Sequence, residues 1–265
     1  MRPWAACLLL AVGACASFPE VERPPVGASP GSVQIQGARG PLSRERSATI
    51  LARLREKSGD APDILEQHVA IEEAVVGRPL VAGNRVRLLA DGPATYEAMI
   101  GAMRGARDHI NLETYIFEDD ETGRRFADLL LAKQAAGVQV TLIYDSVGSI
   151  KTPKEFLGRL KNGGVRVLEF NPVNPLTAKR GWRINHRDHR KLLVVDGRIA
   201  FVGGINISDV HSSGSSATRS PGPDRKSANW RATHASVEGP AVAEFQRLFL
   251  ETWEKSRGEP LPSRN

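Results

Sequence analysis

The amino-acid sequence predicts an α/β fold, a sandwich of helices around a largely parallel or mixed sheet. Between residues 80 and 170, short apolar runs of strand length alternate with segments of helical period. Helix-opening and helix-ending residues fall at the joints between them. The stretch from Lys191 to Val202 departs from that alternation and reads as two strands joined by an Asp-Gly turn. Strands that alternate with helices imply one sheet with helices packed on it.

Taken in order, residues 46–79 form a short helical region, with apolar positions at Ile50, Leu51 and Leu54, then Ile64, Val69, Ile71 and Val75. Val86–Leu89 is a strand. Asp91-Gly92-Pro93 opens a helix, proline being suited to the first turn. Tyr96, Met99, Ile100 and Met103 fall at i, i+3, i+4 and i+7 and turn one face of it inward. Ile110–Phe117 alternates as a strand. Thr122–Ala136 is a helix that buries Phe126, Leu129 and Leu130, and Val138–Tyr144 is the next strand. Thr152-Pro153-Lys154-Glu155 has the form of a capping box at the start of a further helix, which Gly163-Gly164 ends. Val165–Phe170 follows as a strand, and Lys191–Val195 and Ile199–Val202 flank the turn at Asp196-Gly197. Residues 211–228 are a Ser/Gly-rich surface loop of low complexity. Ala232–Val237 is the last strand, and a helix opening at Pro240 buries Val242, Phe245, Phe249 and Trp253. Residues 80–256 thus read as one domain, followed by a polar tail at 257–265.

The N-terminal segment is of another kind. Met1-Arg2 is a short positive start, Trp4–Val12 is mostly apolar, and Gly13-Ala14-Cys15 follows. Residues 1–15 read as a signal peptide whose apolar run is too short to span a bilayer. The run V-G-A-C resembles a bacterial lipobox, which makes Cys15 the lipidated first residue of a mature protein. Residues 16–45, rich in Pro, Gly, Ser and Arg, read as a flexible linker. The expected location is a membrane-anchored, periplasm-facing one, the outer membrane rather than the inner. Both cysteines, Cys7 and Cys15, lie in the leader, so the folded body has neither a disulfide framework nor a cysteine metal site. The net charge of +6 suits anionic partners, a phospholipid surface or a nucleic acid, without choosing between them.

The chemistry sits between Asn185 and Asn206. His189, Lys191 and Asp196 make H-x-K-x4-D, and Gly203, Gly204 and Asn206 follow on the return strand. Alternation along a strand turns His189 and Lys191 the same way. An ammonium beside an imidazole suits a phosphate: the cation neutralises nonbridging oxygens while the histidine attacks phosphorus. Gly203 and Gly204 leave room for a substrate near the backbone, and Asn206 offers an amide donor. Asp196 lies an odd number of residues from His189, before a glycine at a turn. A structural role is therefore expected of it, though as the third residue of the motif it stays among the catalytic candidates, since a bulge re-aims a side chain.

This region resembles the phospholipase D superfamily, and within it the bacterial cardiolipin synthases. The matching segments are V-A-G-N-R-V-R-L-L-A-D-G (81–92), E-T-Y-I-F-E-D-D (113–120), G-V-Q-V-T-L-I-Y-D-S-V-G-S (137–149), N-H-R-D-H-R-K (185–191), and W-R-A-T-H with V-E-G-P-A-V (230–242). The resemblance spans about residues 80–255. It implies an α-β-α sandwich with a central mixed sheet, one half of the usual tandem pair. It implies a ping-pong transfer through a phosphohistidine at His189, with Lys191 and Asn206 on phosphate. A second histidine from a second H-x-K-x4-D motif protonates the leaving alcohol. The substrate it implies is phosphatidylglycerol, and it implies no metal or cofactor.

Two departures stand out. The sequence has one such motif, since His68, His109, His186, His211 and His234 do not begin another. The family's Glu-Tyr after G-G-x-N is absent; Ile207-Ser208-Asp209-Val210-His211 stands there, so its carboxylate is missing or replaced by Asp209. A homodimer that completes the active site is therefore one expected partnership. Glu113 shares a strand face with Tyr115, on a strand expected near the site, and is a candidate to orient His189 or contact substrate, and His234 to line the pocket. Arg187 and Arg190 face lipid phosphate or solvent, and Asp145 is expected to hold a turn. The rival readings are a homodimeric endonuclease, although nucleic acid is not the expected partner, and a non-catalytic half that binds anionic lipid.

Overall fold

The structure, a computed structural model, describes residues 35–58, 68–69, 71–73, 79–173, 183, 185–212, 232–256 and 258–261. The expected signal peptide and lipobox and most of the expected linker fall on residues 1–34, outside the described residues, as does most of the stretch 211–228 read from the sequence as a loop. The chain divides into two compact units, residues 1–36 with 41–80, and residues 37–40 with 81–265. Near the start of the described chain, β1 (Gln36–Gly37) pairs with β2 (Gly40–Pro41). In the first unit α1 (Arg44–Ser58) buries Ser47 and Leu51.

The second unit is built on a seven-stranded mixed sheet. Its strands are β3 (Arg85–Leu89), β4 (His109–Thr114), β5 (Gln139–Asp145), β6 (Arg166–Phe170), β7 (Leu192–Val195), β8 (Ile199–Gly203) and β9 (His234–Glu238), in the spatial order β3-β9-β8-β7-β4-β5-β6. The run β4-β5-β6 is parallel and every other pairing is antiparallel. The helices that join the parallel strands, α3 (Glu121–Ala135) and α4 (Lys154–Asn162), lie on one face beside α2 (Gly92–Gly105). The last helix, α5 (Val242–Lys255), covers β4, β7 and β8 on the other face. This three-layer arrangement is the α-β-α sandwich with a mixed sheet.

Each face buries its own core. Under α2, α3 and α4 lie Tyr96, Met103, Ile110, Leu112, Phe126, Leu130, Leu142, Leu193 and Phe201. Under α5 lie Ile143, Leu168, Leu192, Val194, Ala200, Phe249 and Trp253. Leu192 and Leu193 go to opposite cores, as the two-residue period of a strand dictates. Withdrawing a side chain such as Phe201 or Phe249 from water stabilises the fold by roughly 1.5–3 kcal/mol.

The helix-start signals succeed once and fail once. Asp91 caps α2, its carboxylate accepting the Ala94 N–H at 3.0 Å, with Pro93 in the first turn. The capping box expected at 152–155 does not form. The cap residue of α4 is Pro153, whose side chain has no hydrogen-bonding group, and the Thr152 hydroxyl donates instead to the buried Phe117 carbonyl at 2.6 Å. A buried long-range acceptor outcompetes the local turn. The Asp196-Gly197 turn has φ of 51° and 61°, both in the left-handed region, as a two-residue type I′ hairpin requires.

Candidate active site

Strand direction decides which loops meet. β4 and β5 run parallel, and β7 runs against them, so β7 begins where β4 and β5 end. By the same alternation β8 ends there and β9 begins there. One end of the sheet therefore gathers Tyr115, Asp145, the segment 185–191, Gly203–Asn206 and His234. The mouth of an open sheet beyond the carboxyl ends of its parallel strands is where such folds place ligands.

His189 stands exposed at this rim, just before β7. Its imidazole lies flat on the ring of Tyr115, centroids 3.7 Å apart and planes 24° from parallel. Lys191 is buried, with Nζ 5.1 Å from the centre of the same ring and 2.5 Å from the His189 carbonyl oxygen, to which it donates. Burial lowers the Lys191 pKa from its ordinary value, against the pull of the Asp188 and Asp145 carboxylates. Asn206 is buried beside them. Its Oδ1 accepts the Ile116 N–H at 3.2 Å, which directs its Nδ2 donor elsewhere, and the Tyr96 hydroxyl lies 2.7 Å from its carbonyl oxygen. Histidine, ammonium and amide donor are thus presented from one edge of the sheet.

The segment that carries His189 is fixed from below. Asp145, fully buried, accepts the N–H groups of Val147 and Gly148 through Oδ1 and that of Asp188 through Oδ2 at 2.9 Å. It holds a turn, and the same carboxylate ties down the residue before His189. Arg187 points inward and donates to the Ser146 hydroxyl at 2.8 Å and the Asn171 carbonyl at 2.9 Å. Arg190 also points inward. It meets Asp188 at 3.0 Å, Glu113 at 2.9 Å and the Thr252 hydroxyl of α5 at 2.7 Å. Arg187 is thus turned away from solvent, and Arg190, though 38% exposed, is engaged by the Asp188 and Glu113 carboxyl groups. Glu113 is wholly buried on the α5 face, and its neighbours are Arg190 and Asp188 rather than the His189 ring. Burial, and then the hydrogen bond and charge of Asp188, push the Glu113 carboxyl up to about 9. Two carboxylates beside one guanidinium in a dry site are relieved by holding one proton between them.

His234, the first residue of β9, is buried next to this cluster. Its Nδ1 accepts the Ile205 N–H at 3.3 Å, so the neutral ring carries its proton on Nε2, which has no hydrogen-bond partner among the described residues. Burial, then the Lys191 cation and His211, bring its pKa down to about 4. Gly203 is needed for a different reason from the one the sequence suggests. A Cβ there would stand 2.5 Å from the Thr233 carbonyl and 2.6 Å from the His234 Cα, so β9 occupies the space expected for substrate. Gly204 is less crowded, 3.1 Å from the Ala232 side chain.

Asp196 is not brought to the site. It lies at the β7–β8 turn, at the opposite end of the sheet, roughly 20 Å of extended strand from His189. There it accepts the N–H groups of Arg107, Asp108 and His109 at 2.9–3.0 Å. Burial alone would raise its pKa, but these three donors and the nearby His109 hold it below the usual carboxylate range. Asp209 is likewise committed, taking the Glu121 and Thr122 N–H groups at the start of α3. The sequence assigns no role to Asp188, and none to Tyr115 beyond its place beside Glu113 on a strand near the site. Strand parity placed Tyr115 with Glu113, but β4 ends at Thr114, and beyond that residue parity no longer applies. An aromatic just past the end of a parallel strand was the available signal.

Residues 99–214 match the family model described as "Cardiolipin synthase, PLD-like domain". The chain carries a phospholipase D-like domain. It is 39% identical over 179 residues to cardiolipin synthase A of Pseudomonas putida, covering 66% of this chain and 34% of that protein. It is 37% identical over 184 residues to the cardiolipin synthase of Alkalihalophilus pseudofirmus, covering 69% and 34%. The chain therefore spans about a third of the length of these relatives. Among solved structures, the phospholipase D family member Nuc of Salmonella typhimurium matches 68% of this chain and 100% of its own, at 16% identity and a TM-score of 0.45. Among the described residues of the phospholipase D-like chain, no group of three or more His, Cys, Asp or Glu is placed to hold a metal. None of their helices is long and apolar enough to cross a membrane.

Proposed function

We propose that this chain provides the nucleophilic side of a phosphatidyl-transfer site that acts on phosphatidylglycerol through a phosphohistidine at His189. The observation that carries the proposal is the exposed His189 ring beside the buried Lys191 ammonium and the Asn206 amide, in a chain whose relatives are cardiolipin synthases. A ring nitrogen of His189 attacks phosphorus and the P–O bond to the glycerol headgroup breaks, its electron pair leaving with that oxygen. Lys191 and Asn206 take up the charge that grows on the nonbridging oxygens. An acceptor hydroxyl then attacks the same phosphorus, the P–N bond breaks, and the imidazole is returned.

The departing oxygen needs a proton, and the acceptor hydroxyl must lose one. His234 is poorly suited to that exchange, since with a pKa near 4 it is neutral at ordinary pH and buried. A second imidazole is therefore assigned to a second copy of the chain or to a further domain of the same kind. The full chain, incubated with vesicles of radiolabelled phosphatidylglycerol, is expected to yield cardiolipin, or phosphatidic acid when water is the acceptor. Acid-labile label should appear on the protein and be absent from His189→Ala. Degradation of plasmid DNA with phosphatidylglycerol left intact would overturn this assignment in favour of a nuclease.

We propose further that the domain at 80–256 is tethered to a periplasm-facing membrane through a lipidated Cys15 and the linker at 16–45. The V-G-A-C run supports the tether. Growth of a bacterial expression host with tritiated palmitate should label the wild-type chain and not Cys15→Ser; equal labelling of both would reject it.

A further inference from the structure

We propose that Tyr115 is a positioning residue for the nucleophile, its ring being the surface on which the His189 imidazole is set for attack. This deepens the phosphohistidine reading and rests on it. An exposed histidine ordinarily samples several rotamers. The ring nitrogens of His189 make no hydrogen bond among the described residues, and its ring contact is the face-to-face stack on Tyr115 at 3.7 Å. Lys191 Nζ stands 5.1 Å from the centre of the same ring. One aromatic ring therefore contacts both the attacking group and the phosphate-neutralising cation and sets their relative position.

Tyr115 is itself held on both sides. Its carbonyl accepts the Ser149 hydroxyl at 3.3 Å. Gly148 leaves the space the tyrosine fills, for a Cβ there would fall 2.1 Å from the Tyr115 carbonyl oxygen and 2.8 Å from its ring carbon Cδ2. The next two residues are anchored as well, Ile116 N–H to Asn206 Oδ1 at 3.2 Å and Phe117 N–H to Ser149 Oγ at 3.1 Å. The ring is thereby coupled through the backbone to the amide assigned to phosphate. The Tyr115 hydroxyl makes no hydrogen bond among the described residues, so the ring face is the working part.

The chemistry rewards such a face. When a His189 nitrogen bonds to phosphorus and the P–O bond to the alcohol breaks, the imidazole that keeps its other N–H becomes cationic. An electron-rich ring beneath it favours that charge. Stacking of this kind is worth about a 2- to 12-fold shift in population.

The test uses the full chain with 13C-labelled histidine and reads the His189 Cε1–H resonance alongside transfer kinetics on phosphatidylglycerol vesicles. In the wild type the ring current of Tyr115 should displace that resonance upfield. Tyr115→Leu should abolish the displacement and lower kcat about tenfold with KM nearly unchanged, and Tyr115→Phe should restore both. A resonance that does not move in Tyr115→Leu overturns the stack. A resonance that moves while kcat does not overturns the positioning role. Failure of the wild type to take up acid-labile label from phosphatidylglycerol rejects the phosphohistidine reading and with it the role of Tyr115 in transfer, while the resonance still reports separately on the stack.

Discussion

Arg190→Met is expected to destabilise the phospholipase D-like domain by about 2–3 kcal/mol, less than the roughly 3–5 kcal/mol lost when one partner of a fully buried ion pair is removed, because the Arg190 side chain is 38% exposed while its partners are buried. The guanidinium is shared by Asp188, Glu113 and Thr252, and Glu113 has no exposure at all. Taking the cation away leaves two carboxyl groups in a dry layer between β4 and α5. Asp188 and Arg190 also flank His189, so the segment that carries it should loosen along with the core. Urea unfolding measures the effect, and a loss of less than about 1 kcal/mol would show that the pair is solvated or dispensable.

The same layer gives stability a definite pH dependence. Folded Glu113 keeps its proton up to about 9, whereas an unfolded glutamate loses it near 4.5. Over that window the native state binds the extra proton, so this group's contribution falls as pH rises. His234 acts in the opposite sense: folded, it stays neutral down to about 4, whereas unfolded it is protonated below 6.5. Its contribution grows as pH rises from 4 to 6.5. The two slopes are each about 1.4 kcal/mol per pH unit and cancel between roughly pH 4.5 and 6.5. Stability should therefore be flat there and decline from pH 6.5 towards 9. Glu113→Gln, which retains the shape of the protonated acid, should remove the decline and expose a rise between pH 4 and 6.5. Identical pH profiles for the two proteins would contradict the shared proton.

Lys191→Met is expected to lower phosphatidyl transfer by about 10²–10³-fold, the usual consequence of removing one preorganised charge from a transition-state site. Methionine matches the lysine stem in length and relieves the cost of burying a cation, so folding should change little. A second consequence does not depend on turnover. The Lys191 cation is one of the influences that hold the His234 pKa near 4, after burial and ahead of His211. Its removal should move the His234 titration part of the way back towards 6.5, with burial retaining the rest. NMR titration of the histidine rings reads this directly. An unmoved His234, together with transfer above a tenth of the wild-type rate, would remove Lys191 from the site.

The sequence by itself determined the local arrangement. The α/β alternation, the Asp91 cap, the Asp196-Gly197 hairpin and the adjacency of His189 and Lys191 all depend on residues a few positions apart. At that range, steric limits on the backbone and the periods of helix and strand settle the outcome. What only the tertiary structure decided depends on strand order, which spacing along the chain does not encode. Because β7 runs antiparallel to β4, His189 opens at the end of the sheet where β4 and β5 finish, beside Tyr115 and Asp145. Because β9 packs against β8, Gly203 is filled by the backbone of His234. Glu113 and Arg190, 77 positions apart in the sequence, meet under α5, and the Thr152 hydroxyl leaves its own helix for Phe117. Each of these side chains satisfies a buried charge, a buried carbonyl or a close backbone approach, and such a need exists only once the layers have come together.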